Sequence, residues 1–348
     1  MARSTAWTRG GRSLVSTLAL ASLIAPGRAQ EPASWHDPSK HRVQFVAVQD
    51  GVRLEVLDWG GAGRPVVLPT GSGNAAHVYD DFAPKLSECC HVYAITRRGF
   101  GLSSHPESGY TDQRLADDVL QVLDSLKIEA PVLVGHSMAG SELTTLGAQH
   151  SDRLSGLVYL DAGADPKDFP WSDPSFRAVV QKLSPAKPDP PSPTEAGRKK
   201  SYQAYRAWQM ATLGFAFCES EVRNMYDFNS DGSVGDYRTP DAVHEAINAG
   251  AKKRDYSKIR VPVLSIFATS PSVADQLKEH PRKDAQERAA VEQQYAMLMN
   301  FIGRYKKSLQ SAVPDALVLY WPGAKHYLFI TNEAEVLREL RAFMAGLH

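Results

Sequence analysis

Short, uninterrupted apolar runs separated by amphipathic segments constrain this chain more than any other feature. The runs are PVVLP from Pro65, HVYAI from His91, PVLVG from Pro131, GLVYL from Gly156, VLSIF from Val263 and LVLYW from Leu317. A strand that is apolar at every position has both faces covered, which is the pattern of a mainly parallel sheet with helices on each side. The intervening segments supply the helices. In TDQRLADDVLQVLDSLKI, residues Leu115, Val119, Val122, Leu123 and Leu126 share one helical face, with Thr111 and Asp112 as cap candidates. NEAEVLRELRAFMAGL closes the chain in the same way, with Val336, Leu337, Leu340 and Phe343 on its apolar side. Upstream, alternation at Val43, Phe45 and Ala47 and again at Val52, Leu54 and Val56 flanks Asp50-Gly51, which predicts an antiparallel hairpin.

The rhythm breaks at about Asp165. DPKDFPWSDP and LSPAKPDPPSPTEAG are too rich in proline to continue a sheet. A dense aromatic segment follows, with Tyr202, Tyr205, Trp208, Phe215 and Phe217. The sheet resumes only near KIRVPVLSIFATS. Residues 30–164 and 256–348 therefore read as an α/β core and 165–255 as an inserted cap. A second, charge-rich helical stretch at about Pro281–Gln310 interrupts the last part of the core. It suits a lid, a subunit contact or a spacer equally.

The first residues carry a different signal. Arg3, Arg9 and Arg12 precede the apolar run Ser13–Ala25, and Gly27 and Ala29 are small residues at the places a signal peptidase requires. Residues 1–29 are expected to be a secretory signal, which implies a secreted or periplasmic protein with no stable membrane span. The 39 basic and 39 acidic residues cancel, so charge supplies no reason to expect a nucleic-acid partner. Cys89, Cys90 and Cys218 are odd in number and lack metal-ligand spacing. Cys218 is open to pairing with either neighbour of the Cys89-Cys90 step. No cofactor or metal is expected.

The sharpest motif lies between two predicted elements. PVLVGHSMAGSEL runs a buried strand into Gly135-His136-Ser137-Met138-Ala139-Gly140 and then into a helix from about Ala139 to Gln149. Such a turn presents Ser137 at its apex and is tolerable only with small residues on both sides, here Gly135 and Ala139. The following helix directs free N–H groups towards the hydroxyl.

With this strand–serine–helix elbow, the chain from about Phe45 to Phe343 resembles the α/β-hydrolase superfamily, and its serine-esterase branch in particular. It departs from the usual Gly-x-Ser-x-Gly in having Ala139 in the last place. The resemblance implies an eight-stranded, mainly parallel sheet with a helical cap, and it assigns roles to residues. Ser137 is the expected nucleophile. His326, in the loop after the last strand, is the expected base, and the His136 side chain is expected to leave the turn in another direction from the serine. The acid is expected at Asp161, where GLVYLDAGAD ends the sixth strand. The commoner place after the next strand holds no carboxylate, Asp275 coming several residues late; Asp275 and Asp165 are the alternatives. The oxyanion hole is expected from the N–H groups of Met138 and of Ser72, the latter in PTGSGN, with Thr70 where the family usually has histidine. Arg98, Gly99 and Gly101 resemble a scaffold turn of the family.

These residues predict cleavage of a small-molecule or polymeric carboxylic ester through an acyl-enzyme. A serine at 137 argues against epoxide-hydrolase and dehalogenase chemistry, which in similar enzymes uses a carboxylate. An aminopeptidase or amidase of the same fold, or a noncatalytic binding protein on the same scaffold, are the alternatives. Trp171, Trp208, Phe215 and Phe217 either shape an apolar pocket or pack the cap onto the core.

Overall fold

The computed structural model describes residues 35–165, 168–183 and 195–347; the segment read as a secretory signal lies outside them. The predicted hairpin is β1 (Arg42–Gln49) and β2 (Val52–Gly60), paired antiparallel. The apolar runs form β3 (Pro65–Pro69), β4 (His91–Ile95), β5 (Val132–His136) and β6 (Gly156–Leu160). A small ribbon of β7 (Tyr226–Phe228) and β8 (Val234–Tyr237), absent from the sequence reading, precedes β9 (Val263–Thr269) and β10 (Leu317–Pro322). The helices are α1 (Ala83–Leu86), α2 (Asp112–Leu126), α3 (Gly140–Gln149), α4 (Pro174–Leu183), α5 (Glu195–Lys199), α6 (Tyr202–Leu213), α7 (Glu219–Met225), α8 (Asp241–Gly250), α9 (Val273–Glu279), α10 (Ala285–Ala312), α11 (Leu328–Thr331) and α12 (Glu333–Ala345). None of those described is long and apolar enough to cross a membrane.

The main sheet has eight strands in the order β1-β2-β4-β3-β5-β6-β9-β10. The pairings of β2 with β1 and β4 are antiparallel, and those from β4 through β10 are parallel. Alternation along each strand divides the core in two. Val66, Leu68, Val132, Val134, Val158 and Leu160 face one side, against Val336, Leu337 and Leu340 of α12. Val67, Leu133, Leu157 and Tyr159 face the other, against Val119, Val122 and Leu123 of α2 and Leu143 and Leu146 of α3. Helix α2 starts where its cap predicts, the Thr111 side chain accepting from the Arg114 N–H.

Strand order places the site. The chain moves from β3 outward to β4 and then returns to β5 on the other side of β3. Loops leaving the carboxyl ends of β3 and β5 therefore diverge, and the crevice between them is where open parallel sheets bind ligands. The loop from Thr70 and the turn at Ser137 are those two loops.

The turn after β4 is scaffold. Arg98 is 1% exposed and makes a two-pronged contact with Asp118 of α2, Nε to Oδ2 at 2.5 Å and Nη2 to Oδ1 at 2.7 Å. Among the cap aromatics, Tyr205, Phe215 and Phe217 are buried in the core cluster and Trp208 packs against it. Phe215 and Phe217 both lie against Tyr327, with ring centroids 5.2 and 5.0 Å away. These residues hold the insertion down and do not line the pocket below; the side chain of Trp171 lies outside the description.

Candidate active site

Ser137 follows the last residue of β5 with φ +54°, a left-handed backbone that non-glycine residues seldom adopt. Such strain costs on the order of 1–3 kcal/mol and persists only where surroundings enforce it. Here they do. A Cβ on Gly135 would stand 3.1 Å from the Ala139 Cβ and 2.7 Å from Leu143 Cδ1. Ala139 is buried and its single methyl is accommodated. The strict glycine of the motif is Gly140, where a Cβ would fall 2.3 Å from the backbone nitrogen of Gly163. That contact brings the start of α3 against the loop that carries Asp161.

Asp161 shares the strained geometry, with φ +46° just past β6. Its backbone N–H still joins the sheet through the Ile266 carbonyl at 2.7 Å. Both carboxylate oxygens are held. Oδ1 accepts from the Ala268 N–H at 3.1 Å, and Oδ2 lies 2.6 Å from Nδ1 of His326. With Nδ1 paired to Asp161, Nε2 is the ring nitrogen of His326 left for another partner. Neither alternative acid meets His326. Asp275 is exposed at the start of α9, bonded to Ser272, and Asp165 accepts from the Arg254 N–H at 3.1 Å.

His136 leaves the turn in another direction from Ser137, buried and off the cavity wall. Its ring lies 4.5 Å from the His326 ring and 4.7 Å from Tyr327, and Nε2 contacts the His326 carbonyl at 3.0 Å. Burial, then the neighbouring His326, pushes its pKa well below the usual value. A neutral imidazole facing a carbonyl must donate, so His136 is an Nε2–H tautomer that fixes the backbone of His326. It also explains Gly71, where a Cβ would stand 2.8 Å from His136 Nδ1 and 3.4 Å from Ser137 Cβ.

The Thr70–Asn74 loop is tied down on its far side. Arg97 Nη1 donates to the Gly71 carbonyl at 3.2 Å, while its Nε donates to Glu142 Oε1 of α3 at 2.7 Å. In a planar trans peptide the N–H points opposite the C=O. With the Gly71 oxygen drawn to Arg97, the Ser72 N–H is turned the other way. Tyr237 donates to the Gly73 carbonyl at 3.2 Å, and Ser72 Oγ lies 3.0 Å from His244 Nδ1. The sequence reading named Arg98 and passed over Arg97, although a second arginine beside a scaffold one was a visible signal.

Glu221 of α7 secures the same loop from the insertion. Its Oε1 accepts from Asn74 Nδ2 at 2.9 Å and from the Ala75 N–H at 3.1 Å, and Tyr327 donates to Asn74 Oδ1 at 3.1 Å. Burial raises the Glu221 pKa from its ordinary 4.5 to about 8, outweighing those hydrogen bonds. Between these values the folded chain keeps a proton that the unfolded chain has lost. Stability from this group must then fall as pH rises from about 4.5 to about 8 and level off above. Glu221→Gln is expected to flatten that part of the curve, read as Tm against pH. A wild-type and variant difference that stayed constant over the interval would contradict it.

Ser72, Ser137, Met138, Asp161 and His326 line one cavity of about 490 Å³. Its apolar wall comes from Phe169, Ile247, Phe267, Leu298, Phe301 and Ile302. Three of these belong to α10, so the charge-rich stretch contributes a pocket wall. All three cysteines are free, with Cys218 donating to the His77 carbonyl at 3.2 Å and Cys89 Sγ lying 2.8 Å from Cys90 Sγ.

The alpha/beta hydrolase fold family model matches residues 64–212. Epoxide hydrolase A of Mycobacterium tuberculosis is 34% identical over 122 residues, 34% of this chain and 38% of that protein. The 2-(acetamidomethylene)succinate hydrolase of Mesorhizobium japonicum is 30% identical over 101 residues, 29% of this chain and 36% of its own. A crystal structure of E-2-(acetamidomethylene)succinate hydrolase superposes with a TM-score of 0.60 at 19% identity, covering 88% of this chain and 100% of that one. The aligned part of this chain spans less than half the length of either curated relative. By its sheet topology and these matches, the chain has the alpha/beta hydrolase fold, and its residues 64–212 match that family's model.

Proposed function

We propose that the protein is a secreted or periplasmic serine hydrolase that cleaves carboxylic esters through an acyl-enzyme. The observation that carries the reading is the His326–Asp161 contact at 2.6 Å in the same cavity as a strained Ser137. Ser137 Oγ attacks the carbonyl carbon as His326 takes its proton. The negative charge on the carbonyl oxygen is met by the N–H groups of Met138 and Ser72. His326 then protonates the departing alcohol, and water, deprotonated by His326 in turn, releases the acid. Asp161 holds the tautomer throughout.

An ester is favoured over an amide because its leaving alkoxide needs less help from the acid. The serine separates this chain from carboxylate-nucleophile chemistry, and the intact His326–Asp161 pair favours turnover over mere binding. The extracytoplasmic location is supported by the pattern of residues 1–29. Hydrolysis of p-nitrophenyl esters from acetate to decanoate tests the activity, with medium chains expected to turn over best in a pocket of this size. Silence on every ester would contradict the proposal.

A further inference from the structure

A second cluster of titratable side chains follows the Thr70–Asn74 loop in the chain, and none of its residues lines the cavity that holds Ser137. His77 lies in the short turn Ala76–Tyr79, Asp80 comes directly after it, and His41 directly precedes β1. One nitrogen of each histidine and one Asp80 oxygen lie within 4.8 Å of one another. All three side chains are at most 4% exposed.

The spacing is that of ligands around one ion. Asp80 Oδ1 lies 3.3 Å from His41 Nε2, yet it accepts no hydrogen bond. His77 Nδ1 contacts Asp80 Oδ2 at 3.1 Å. Donors around a tetrahedral zinc ion, each about 2.0–2.1 Å from the metal, stand roughly 3.3 Å apart. The His41 ring is held edge-on to Trp59 and to His77, with centroids 5.3 and 5.0 Å away.

The surrounding groups orient the same residues. A histidine that binds a metal through one nitrogen usually gives its other N–H to a carboxylate. His77 Nε2 lies 3.5 Å from Glu55 Oε1, an oxygen with no hydrogen bond among the described residues. The other Glu55 oxygen accepts from Thr96 Oγ1 at 2.7 Å. Asp80 Oδ2 accepts from the Ser220 hydroxyl of α7, which leaves Oδ1 for an ion.

Charge and donor type select the ion. Glu55 is fully buried and Asp80 is 6% exposed, and buried carboxylates are paired with cations or bind metals. Histidines that bind a metal are neutral, so the positive charge falls to the ion. Two imidazole nitrogens with a carboxylate suit zinc, whereas calcium and magnesium take oxygen ligands.

We propose that His41, His77 and Asp80 bind a zinc ion, with Glu55 as the hydrogen-bond partner of His77. The metal takes the place of the proton that His77 Nδ1 gives to Asp80, and the neutral ring carries its proton on Nε2, towards Glu55. Three protein ligands leave one position to water. The ion fastens together the start of β1, the turn after the Thr70–Asn74 loop and, through Ser220, helix α7. The site is independent of the hydrolase reading, and its test reads metal rather than turnover.

Untagged full-length protein, stripped with EDTA and dialysed free of it, would be titrated calorimetrically with zinc chloride. One equivalent is expected to bind with Kd below about 1 μM. Asp80→Asn and His41→Gln should each weaken binding by at least about 100-fold, and Glu55→Gln by about tenfold. His150→Gln, which alters a histidine outside the cluster, should leave it unchanged. Should the cluster variants not fold, wild type alone decides. X-ray absorption of its bound zinc is expected to show two imidazole ligands. No stoichiometric binding, an affinity that Asp80→Asn and His41→Gln leave intact, or a spectrum with fewer than two imidazoles would each overturn the site.

Discussion

Replacing Ser137 with alanine is expected to lower kcat on any ester the protein hydrolyses by about 10⁴–10⁶, with KM little changed. His326→Ala should lose a similar factor, because the two act as one unit and their effects do not add. Asp161→Asn should cost about 10⁴, since an amide donates where a carboxylate accepts and the wrong tautomer of His326 results. Asp275→Asn is the control, because that carboxylate bonds Ser272 on the surface. Stopped-flow or steady-state rates on one activated ester distinguish these outcomes. An Asp161→Asn enzyme of wild-type activity would remove the acid from the account.

Glu142→Gln is expected to be the most damaging change away from the reacting groups. Arg97 and Glu142 are 5% and 2% exposed in their side chains. Removing one charge strands the other in the interior, at roughly 3–5 kcal/mol. The loss would also loosen Arg97 from the Gly71 carbonyl, and with it the orientation of the Ser72 N–H. One misdirected oxyanion donor costs about 10²–10³ in kcat. The two effects separate in Arg97→Met/Glu142→Leu, which removes both charges. Stability by urea unfolding should largely return, whereas kcat should stay low. Recovery of both together would show that the pair serves folding alone.

Much of this was legible because local rules and global fold agree. The buried strands, the caps of α2 and the elbow at Ser137 each follow from nearest neighbours in the chain. The placement of Asp161 beside His326 was legible for a topological reason, since Asp161 lies at a strand end that faces the crevice. What stayed hidden depends on approach between distant segments. The exclusion of a side chain at Gly140 comes from Gly163, across two elements. His136 turns back onto His326, a residue 190 positions away. The Arg97 link to Gly71 and Glu142 joins two loops and a helix that no periodicity connects. The aromatic run at Trp208–Phe217 shows why composition alone does not place a pocket. Aromatic density signals burial, and only the fold decides whether the burial is against protein or ligand.

The central claim is that Ser137 is an activated nucleophile, with its base held by Asp161. A fluorophosphonate probe tests it most directly, with the adduct mapped by mass spectrometry in wild type, His326→Ala and Asp161→Asn. One phosphonyl group on Ser137 in wild type, at a rate that falls steeply in both variants, is the predicted result. An unreactive wild type, or labelling of Ser137 at the same rate without His326, would contradict it.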